Sequence, residues 1–288
     1  MAVAERWGEM KKRNAFLIGI ALTAIHLPIA GALKQPSEGI QPAESCRAGR
    51  HWTSGTATTL PAGRWEIGLF QALRYAWSES VEVSTHPLAF FLIPNLSVKW
   101  SHGSRNGFRI ATRHSLTYPT PLLRTLSRKG IGGLISPEFN IPQMVSLYNE
   151  VLISRPISGS LLATANAGIC FALKSGGLDE RTTIDLPFVF PRLNVYYAGY
   201  GFHGGTELRA DVFRRWRIQT GAEFFYYPAV DEHFAFEQKG LLLWNKSRTF
   251  QLSAGYQLTY GEYPFGSQWH LFVPMFDLAW GWGGIFSP

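Results

Sequence analysis

Apolar and polar residues alternate with a period of two along several long stretches of the chain. In residues 107–118, one set of alternate positions carries Phe108 and Ile110, and the other carries Arg109 and Arg113. Successive side chains of a β-strand point to opposite faces of the sheet. The alternation therefore predicts a strand with one apolar face and one polar face.

The same pattern recurs in residues 251–260 and in about twelve segments along the chain. These segments are longer than the ~5–6 residues of an ordinary strand and closer to the ~10 residues that cross a bilayer. We therefore predict an all-β fold, a transmembrane antiparallel up-and-down β-barrel of about twelve strands, with ten or fourteen as alternatives. The predicted strands are 64–77, 80–91, 95–102, 107–118, 144–155, 159–173, 187–201, 205–213, 216–227, 233–244, 249–260 and 268–282.

The N-terminus has the three parts of a secretory signal peptide. A basic stretch at 11–13 precedes an apolar run at 15–29, and Ala30-Gly31-Ala32 supplies a small-x-small cleavage pattern. We expect cleavage after Ala32, although a retained membrane helix over 15–33 is the alternative. The predicted organisation is a signal peptide at 1–32, a flexible N-terminal tail or lumen plug at 33–63, and a barrel at 64–288.

Composition agrees with a surface that faces lipid. Only 16% of the residues are charged, and 14% are aromatic. Removing residues 1–32 leaves 23 basic and 18 acidic residues, so the formal charge falls from +7 to +5. No clustered basic face is present, which argues against a nucleic-acid partner. The expected partners are outer-membrane lipid, small solutes and the barrel-assembly machinery.

The connections between the predicted strands alternate between short and long. The longest is residues 120–143, as expected for an extracellular loop opposite tight periplasmic turns. Three prolines, Pro187, Pro191 and Pro274, lie in or near predicted strands, where each removes a hydrogen-bond donor from the ladder.

One local motif is more particular than the alternation. Residues 60–69 (LPAGRWEIGL) are followed by residues 75–83 (YAWSESVEV), which gives a Pro-x-Gly-basic motif, a strand, a polar turn and a second strand. This arrangement resembles the opening hairpin of bacterial outer-membrane β-barrel proteins, including transporter-like exported barrels. The resemblance implies location in the bacterial outer membrane, and it implies no catalytic residues.

Glu82, Ser84 and His86 are the candidates for catalysis, because they alternate along one strand and would share the lumen face. Outer-membrane lipid hydrolases use a Ser-His pairing with a polar orienting residue. The alternative is that these side chains line a wet interior, and the position of Pro87 after His86 suggests that the strand ends there.

A larger set of charged residues is predicted to point into the lumen. Mixed charges in a barrel lumen either form internal ion pairs or line a water-filled pore. Lys99, Arg109 and Arg113 lie on neighbouring predicted strands and would form a basic stripe that favours anions. The predicted pore-lining residues are Lys99, Arg109, Arg113, Glu150, Arg209, Asp211, Arg217 and Glu223, with Glu66, Glu82 and Glu207 also facing inward.

The sequence contains no motif for a metal or a cofactor, and we predict neither. Spacing does not decide whether Cys46 and Cys170 pair. The predicted function is a porin-like channel or passive transporter for small, by preference anionic, solutes. The alternatives are a lipid hydrolase using Ser84 and His86, and a structural or adhesive barrel acting through its loops.

Overall fold

Twelve antiparallel strands close into one barrel in the computed structural model. The structure describes residues 52–130, 135–179, 182, 190–263 and 266–284. Each strand pairs with its neighbours in sequence, and β1 pairs with β12 to complete the ring. The strands are β1 (Trp65–Gly68), β2 (Leu73–Ala76), β3 (Val81–Thr85), β4 (Asn95–Arg105), β5 (Phe108–Thr117), β6 (Met144–Pro156), β7 (Leu161–Lys174), β8 (Tyr200–Phe213), β9 (Trp216–Tyr226), β10 (Phe234–Asn245), β11 (Phe250–Tyr263) and β12 (Gly266–Trp282).

Four short helices lie in the connections. They are α1 (Pro87–Phe90), α2 (Thr120–Leu126), α3 (Phe190–Leu193) and α4 (Val195–Ala198). No helix among the described residues is long and apolar enough to span a membrane.

The predicted twelve-stranded barrel is confirmed. The predicted number of strands agrees with the structure because two errors in the predicted strands cancel. The predicted strand 64–77 is two strands, β1 and β2, because the chain reverses at residues 69–72. The backbone N–H of Phe70 is held there by Asp277, a contact that no local turn motif announces.

The second error concerns residues 187–201, where we predicted a strand. Residues 190–198 form α3 and α4 instead, and β8 begins only at Tyr200. Pro191 lies in α3 and has no N–H to donate to a strand ladder. Residues 183–189 lie outside the described residues. The predicted strand 80–91 is also too long, because β3 ends at Thr85 and α1 follows.

Pro274 remains within a strand. The register between β11 and β12 shifts between Gly255 and Gln257, opposite the Val273–Pro274 step. A bulge of this kind leaves one residue out of the ladder, which is how a strand tolerates a residue without an N–H.

The two ends of the barrel differ. At one end, here called the turn end, the connections are short, as at Asn106 and Gly107, where both residues adopt positive φ. Positive φ at both central positions fits the tight hairpin turns that match strand twist. The opposite end, here called the loop end, carries the longer segments 118–143 and 175–199. Both β1 and the C-terminal end of β12 lie at the turn end.

The outer surface is apolar and the lumen is polar, as the alternation predicts. Large apolar side chains such as Leu147, Val151 and Ile153 are exposed on outward positions of β6. Aromatic rings encircle the turn end, where Trp65 stacks on Trp282 at 6.5 Å. A belt of this type is the surface expected of a barrel wall in contact with lipid.

Arginine at the middle of this belt should destabilise the inserted barrel. We expect Val151→Arg to lower the free energy of unfolding from lipid vesicles by about 2–4 kcal/mol, because the guanidinium is placed in hydrocarbon. Ile157→Arg, in an exposed turn at the turn end, should change it by about 0–1 kcal/mol. Reversible guanidinium titration in vesicles measures both, and equal effects would place residue 151 outside the hydrocarbon.

Candidate functional site

Residues 52–63, here called the lumen plug, cross the inside of the barrel near its turn end. The Ala57 N–H donates to Ser154 Oγ on β6 at 2.9 Å, and the Leu60 N–H donates to Glu82 Oε2 on β3 at 3.0 Å. On the opposite side of the barrel, Arg209 Nη1 on β8 donates to the carbonyl of Trp52. The plug is therefore fastened to widely separated parts of the wall.

Small residues let the plug fit. Gly55 has a φ of +76°, and a Cβ at this position would come within 3.1 Å of Arg209 Nη2. Ala57 is fully buried against Ala111 and Leu152, which face the lumen from β5 and β6. A larger side chain at either plug position would displace the plug from the wall.

A network of buried charges joins the first four strands at the turn end. The Arg74 guanidinium bridges Glu66 and Glu82, with a distance of 2.8 Å to each carboxylate. Lys99 Nζ lies 3.2 Å from Glu82 Oε2, and Arg64 completes the network through Glu66 at 3.0 Å. All five side chains are nearly inaccessible to solvent. Three cations share two carboxylates where water is excluded, so the ion pairs offset most of the buried charge and leave a formal net charge of +1.

The same network holds the plug. Arg74 Nη2 donates to Thr53 Oγ1 at 3.0 Å, and Lys99 Nζ donates to the Thr58 carbonyl at 2.8 Å. The plug supplies oxygen acceptors to this network, in which three cations face two carboxylates. Polar contacts of this type bind the plug with geometric specificity rather than by apolar burial.

A second network lies across the lumen on β8, β9 and β10. Glu207 accepts from Arg209 Nε at 2.8 Å and from Gln219 Nε2 at 2.7 Å, and it lies 3.2 Å from Lys239 Nζ. Nearer the turn end, Arg217 Nε donates to Asp211 Oδ1 at 2.7 Å. The predicted lumen residues on these strands therefore form ion pairs.

The predicted basic stripe does not carry a net positive charge along its whole length. Strand register places Lys99 opposite Arg113, but Lys99 pairs with Glu82 and Arg113 pairs with Glu150. Among the described residues, Arg109 forms no ion pair and donates to Thr58 Oγ1 at 3.0 Å. Arg109 is therefore the member of the stripe whose charge is uncompensated.

The loop end of the lumen is covered by a cap made from α3 and α4. Arg192 on α3 donates to Glu237 at 2.6 and 3.0 Å and lies 3.5 Å from Glu223. Burial opposes the charge of Arg192, but Glu237 and Glu223 outweigh it and raise the pKa of the guanidinium above its usual range. The cap also contributes to an apolar cluster of Leu123, Ile135, Ile141, Met144, Cys170, Leu193, Val195, Tyr196, Phe225, Tyr227 and Ala235.

A cavity of about 440 Å³ lies between the plug and the cap. Arg113, Glu223 and Lys239 line it, together with Gly55 of the plug and Arg192 of the cap. The charged lining makes it suitable for a hydrated polar group. Sequence analysis missed Glu237, Lys239 and Arg192. The first two could have been found by extending the alternation along 233–244, whereas Arg192 lies on a helix that we predicted as a strand.

The structure does not assemble the predicted Ser-His site. The Glu82 carboxylate is occupied by Arg74, Lys99 and the plug. No hydrogen bond joins Ser84 to His86 within the described part of the chain, and the His86 backbone N–H donates to Asn95 Oδ1 at 2.8 Å. This geometry does not support the hydrolase alternative.

His203, which lies between the predicted strands 187–201 and 205–213, is a buried lumen residue. It lies in β8, and its Nδ1 is 3.8 Å from Glu223 Oε1. Cys170 is buried and forms no disulfide, while Cys46 lies outside the described residues. The described ranges contain no group of three His, Cys, Asp or Glu side chains that could hold a metal ion.

Removing the charge of Glu82 should loosen both the plug and the wall. Glu82→Gln leaves Arg74 and Lys99 without their shared carboxylate, and breaking a buried pair in this way costs about 3–5 kcal/mol. We expect a lower unfolding midpoint in urea and faster proteolytic cleavage within 52–63. Glu138→Gln, in an exposed loop, is the matched control. Unchanged cleavage in folded Glu82→Gln would show that the network does not hold the plug.

No protein-family model matches the chain, and no curated protein matches it. A solved structure of the KdgM porin in complex with disordered oligogalacturonate aligns over 76% of this chain and 94% of that chain, with 8% identity and a TM-score of 0.39. The closed antiparallel barrel, its apolar outer belt and its charged lumen are the features of a bacterial outer-membrane β-barrel protein.

Proposed function

We propose that the protein is a porin-like passive transporter of small polar solutes in the bacterial outer membrane, gated by the lumen plug. The observation that carries the proposal is the charged cavity of about 440 Å³ enclosed by the barrel wall, with the plug across its turn end. Solute would move between the cavity and the turn end when the plug is displaced.

The nature of the plug contacts supports gating. Side chains such as Arg74, Lys99 and Arg209 donate hydrogen bonds to plug oxygens, and the Ala57 and Leu60 N–H groups donate to the wall. Water or a polar solute can replace such bonds, each of which contributes about 0.5–3 kcal/mol, the upper end applying to charged donors. The buried apolar cluster that includes the plug residue Ala57 contains two wall side chains, Ala111 and Leu152.

The orientation follows from the two ends of the barrel. In outer-membrane barrels, short turns face the periplasm and longer loops face outward. We therefore assign the plug to the periplasmic side and the cap to the outer side. Insertion in this orientation makes outer-membrane lipid and the barrel-assembly machinery the expected partners.

Within this proposal, a preference for anions is assigned to Arg109. This residue is exposed near the turn end and contacts the plug through Thr58, without a carboxylate partner among the described residues. Lys99 and Arg113, deeper in the lumen, each pair with a carboxylate. An uncompensated cation at a pore mouth raises the local concentration of anions.

Shortening the plug should open the pore. We expect a chain lacking residues 52–60 to give larger and longer-lived conductance steps in planar bilayers than the intact chain, because the segment across the turn end is gone. Heat-modifiable migration on gels would verify that the barrel is folded. An absence of conductance steps from both folded proteins would contradict the transporter proposal.

A point substitution provides a test that retains the plug. Ala57→Asp inserts a carboxylate between Ala111 and Leu152 and should increase open probability. The matched control is Ala163→Asp, an outward-facing position of β7 near the turn end that does not contact the plug. Equal conductance in the two variants would exclude plug displacement as the cause.

Ion selectivity should depend on Arg109. In the chain lacking 52–60, Arg109→Gln should move the reversal potential in a salt gradient toward zero, since the uncompensated charge at the mouth is removed. Arg128→Gln, in an exposed loop segment at the other end, should leave the reversal potential unchanged. A reversal potential that does not respond to Arg109→Gln would contradict the assignment.

A further inference from the structure

The barrel wall has a low section formed by its first three strands. β1 and β2 are four residues long and β3 is five, whereas β4 has 11 residues and β12 has 17. At ~3.3 Å per residue, a five-residue strand rises only about 17 Å even when untilted. The apolar band of an outer-membrane barrel is about 25 Å tall. These three strands therefore cannot cross it.

The low section leaves a long edge of β12 without a neighbour. β12 pairs with β1 only over Ala279–Trp282, so the backbone of residues 266–276 has β11 on one side and no paired strand on the other within the described part of the chain. Unpaired strand edges are not tolerated in hydrocarbon, but they occur where they line a water-filled cavity. The free edge of β12 is therefore expected to border an aqueous gap.

The gap is wide enough to admit a chain molecule. Three strand positions, those of β1, β2 and β3, separate β12 from β4 in the closed order. Four interstrand spacings of ~4.8 Å correspond to about 19 Å along the sheet. The short strands lie at the turn end of this section, because Trp65 of β1 pairs with Trp282, the last residue of β12. The gap therefore faces the loop half of the bilayer.

Exposed apolar side chains border the gap. On the β12 side, Leu271, Val273 and Phe276 are each more than half exposed. Phe70, in the turn between β1 and β2, is 64% exposed, and its ring packs edge-on against Phe276 at 6.0 Å. On the β4 side, Phe91 follows α1 and is 86% exposed. These surfaces fit the alkyl chain of a lipid.

The lumen cavity reaches the gap. Phe70 and His86, which follow the loop-end termini of β1 and β3, line the same cavity as Arg113, Glu223 and Lys239. The plug crosses the lumen on the turn side of this cavity, and Arg192 of the cap lines it on the loop side. The cavity is thus bordered by polar groups inside the barrel and by apolar groups at the low section.

A buried acceptor without a partner lies at the foot of the gap. Asp277 is 7% exposed and faces the lumen from β12. Its Oδ1 accepts from the Phe70 N–H at 3.0 Å, while its Oδ2 has no hydrogen-bond partner among the described residues. A buried carboxylate oxygen without a donor favours a ligand that brings one, such as a hydroxyl or a carboxylic acid proton.

We propose that the low section is a lateral portal through which a long-chain amphiphile passes between the outer leaflet and the lumen cavity. Its polar head would occupy the charged cavity, and its alkyl chain would extend past Phe70 and Phe276 into the bilayer. The assignment to the outer leaflet rests on the orientation in the proposed function. The portal itself requires neither ion conduction nor plug displacement.

The portal can be tested by quenching of a lumen fluorophore from the lipid. A bimane label is attached at Gln257→Cys, in the cavity lining, on a chain in which Cys46 and Cys170 are replaced by alanine. Vesicles of phosphatidylcholine containing dibromostearic acid supply the quencher. We expect quenching at position 257, and stronger quenching at Leu258→Cys, which faces the outside of the same strand. Quenching at 258 but not at 257 would overturn the proposal.

A matched pair of variants tests the route. Phe70→Gln removes the aromatic group at the portal and should reduce the apparent affinity of dibromostearate quenching at 257 about ten-fold. Phe213→Gln is the control, because Phe213 is also 64% exposed but lies at the turn end of β8. Equal quenching in the two variants would contradict a route past Phe70.

A second copy of the chain is the competing occupant of the free β12 edge. Val273→Cys lies on that edge, so strand pairing between two copies would give a disulfide-linked dimer in vesicles. Dimer formation together with loss of quenching at 257 would overturn the portal in favour of an oligomer interface. Failure of the conductance experiments with intact quenching would reject the channel and retain the portal.

Discussion

The requirement that backbone hydrogen bonds be satisfied without water governs this structure. In hydrocarbon, a β-sheet meets this requirement only by closing on itself. Closure creates an interior, and a twelve-stranded interior is too wide to be filled by wall side chains alone. The polar alternate positions, the internal plug and the helical cap are all consequences of having an interior that must be filled or kept wet.

Charge compensation is the means by which that interior is made stable. Arg74 lies between two carboxylates, and Glu82 in turn is shared by Arg74, Lys99 and the Leu60 N–H. Each charge has partners on different strands or on the plug. If one charged residue is removed, its partners remain buried without the opposite charge that stabilised them. The network therefore links the closure of the wall to the seating of the plug.

The sequence predicts the wall far better than it predicts what fills it. Strict alternation, as in β5 and β11, indicates which face of the sheet each residue occupies. Lys99, Glu150 and Arg209, which the pattern assigns to the lumen face, are buried. Alternation does not indicate the chain reversal at Phe70, because the Asp277 contact that holds it spans 207 residues of sequence. Alternation also does not indicate which side chains pair with each other inside the barrel.

The first strand has a further consequence for assembly. The plug immediately precedes β1, and β1 is joined to β12 by four residue pairs, whereas β11 and β12 share thirteen. The seam that makes the sheet a barrel is therefore a short ladder, and it directly follows the plug in the chain. Seam closure and plug seating are thus coupled, because residues 52–63 lead directly into the strand that completes the ring.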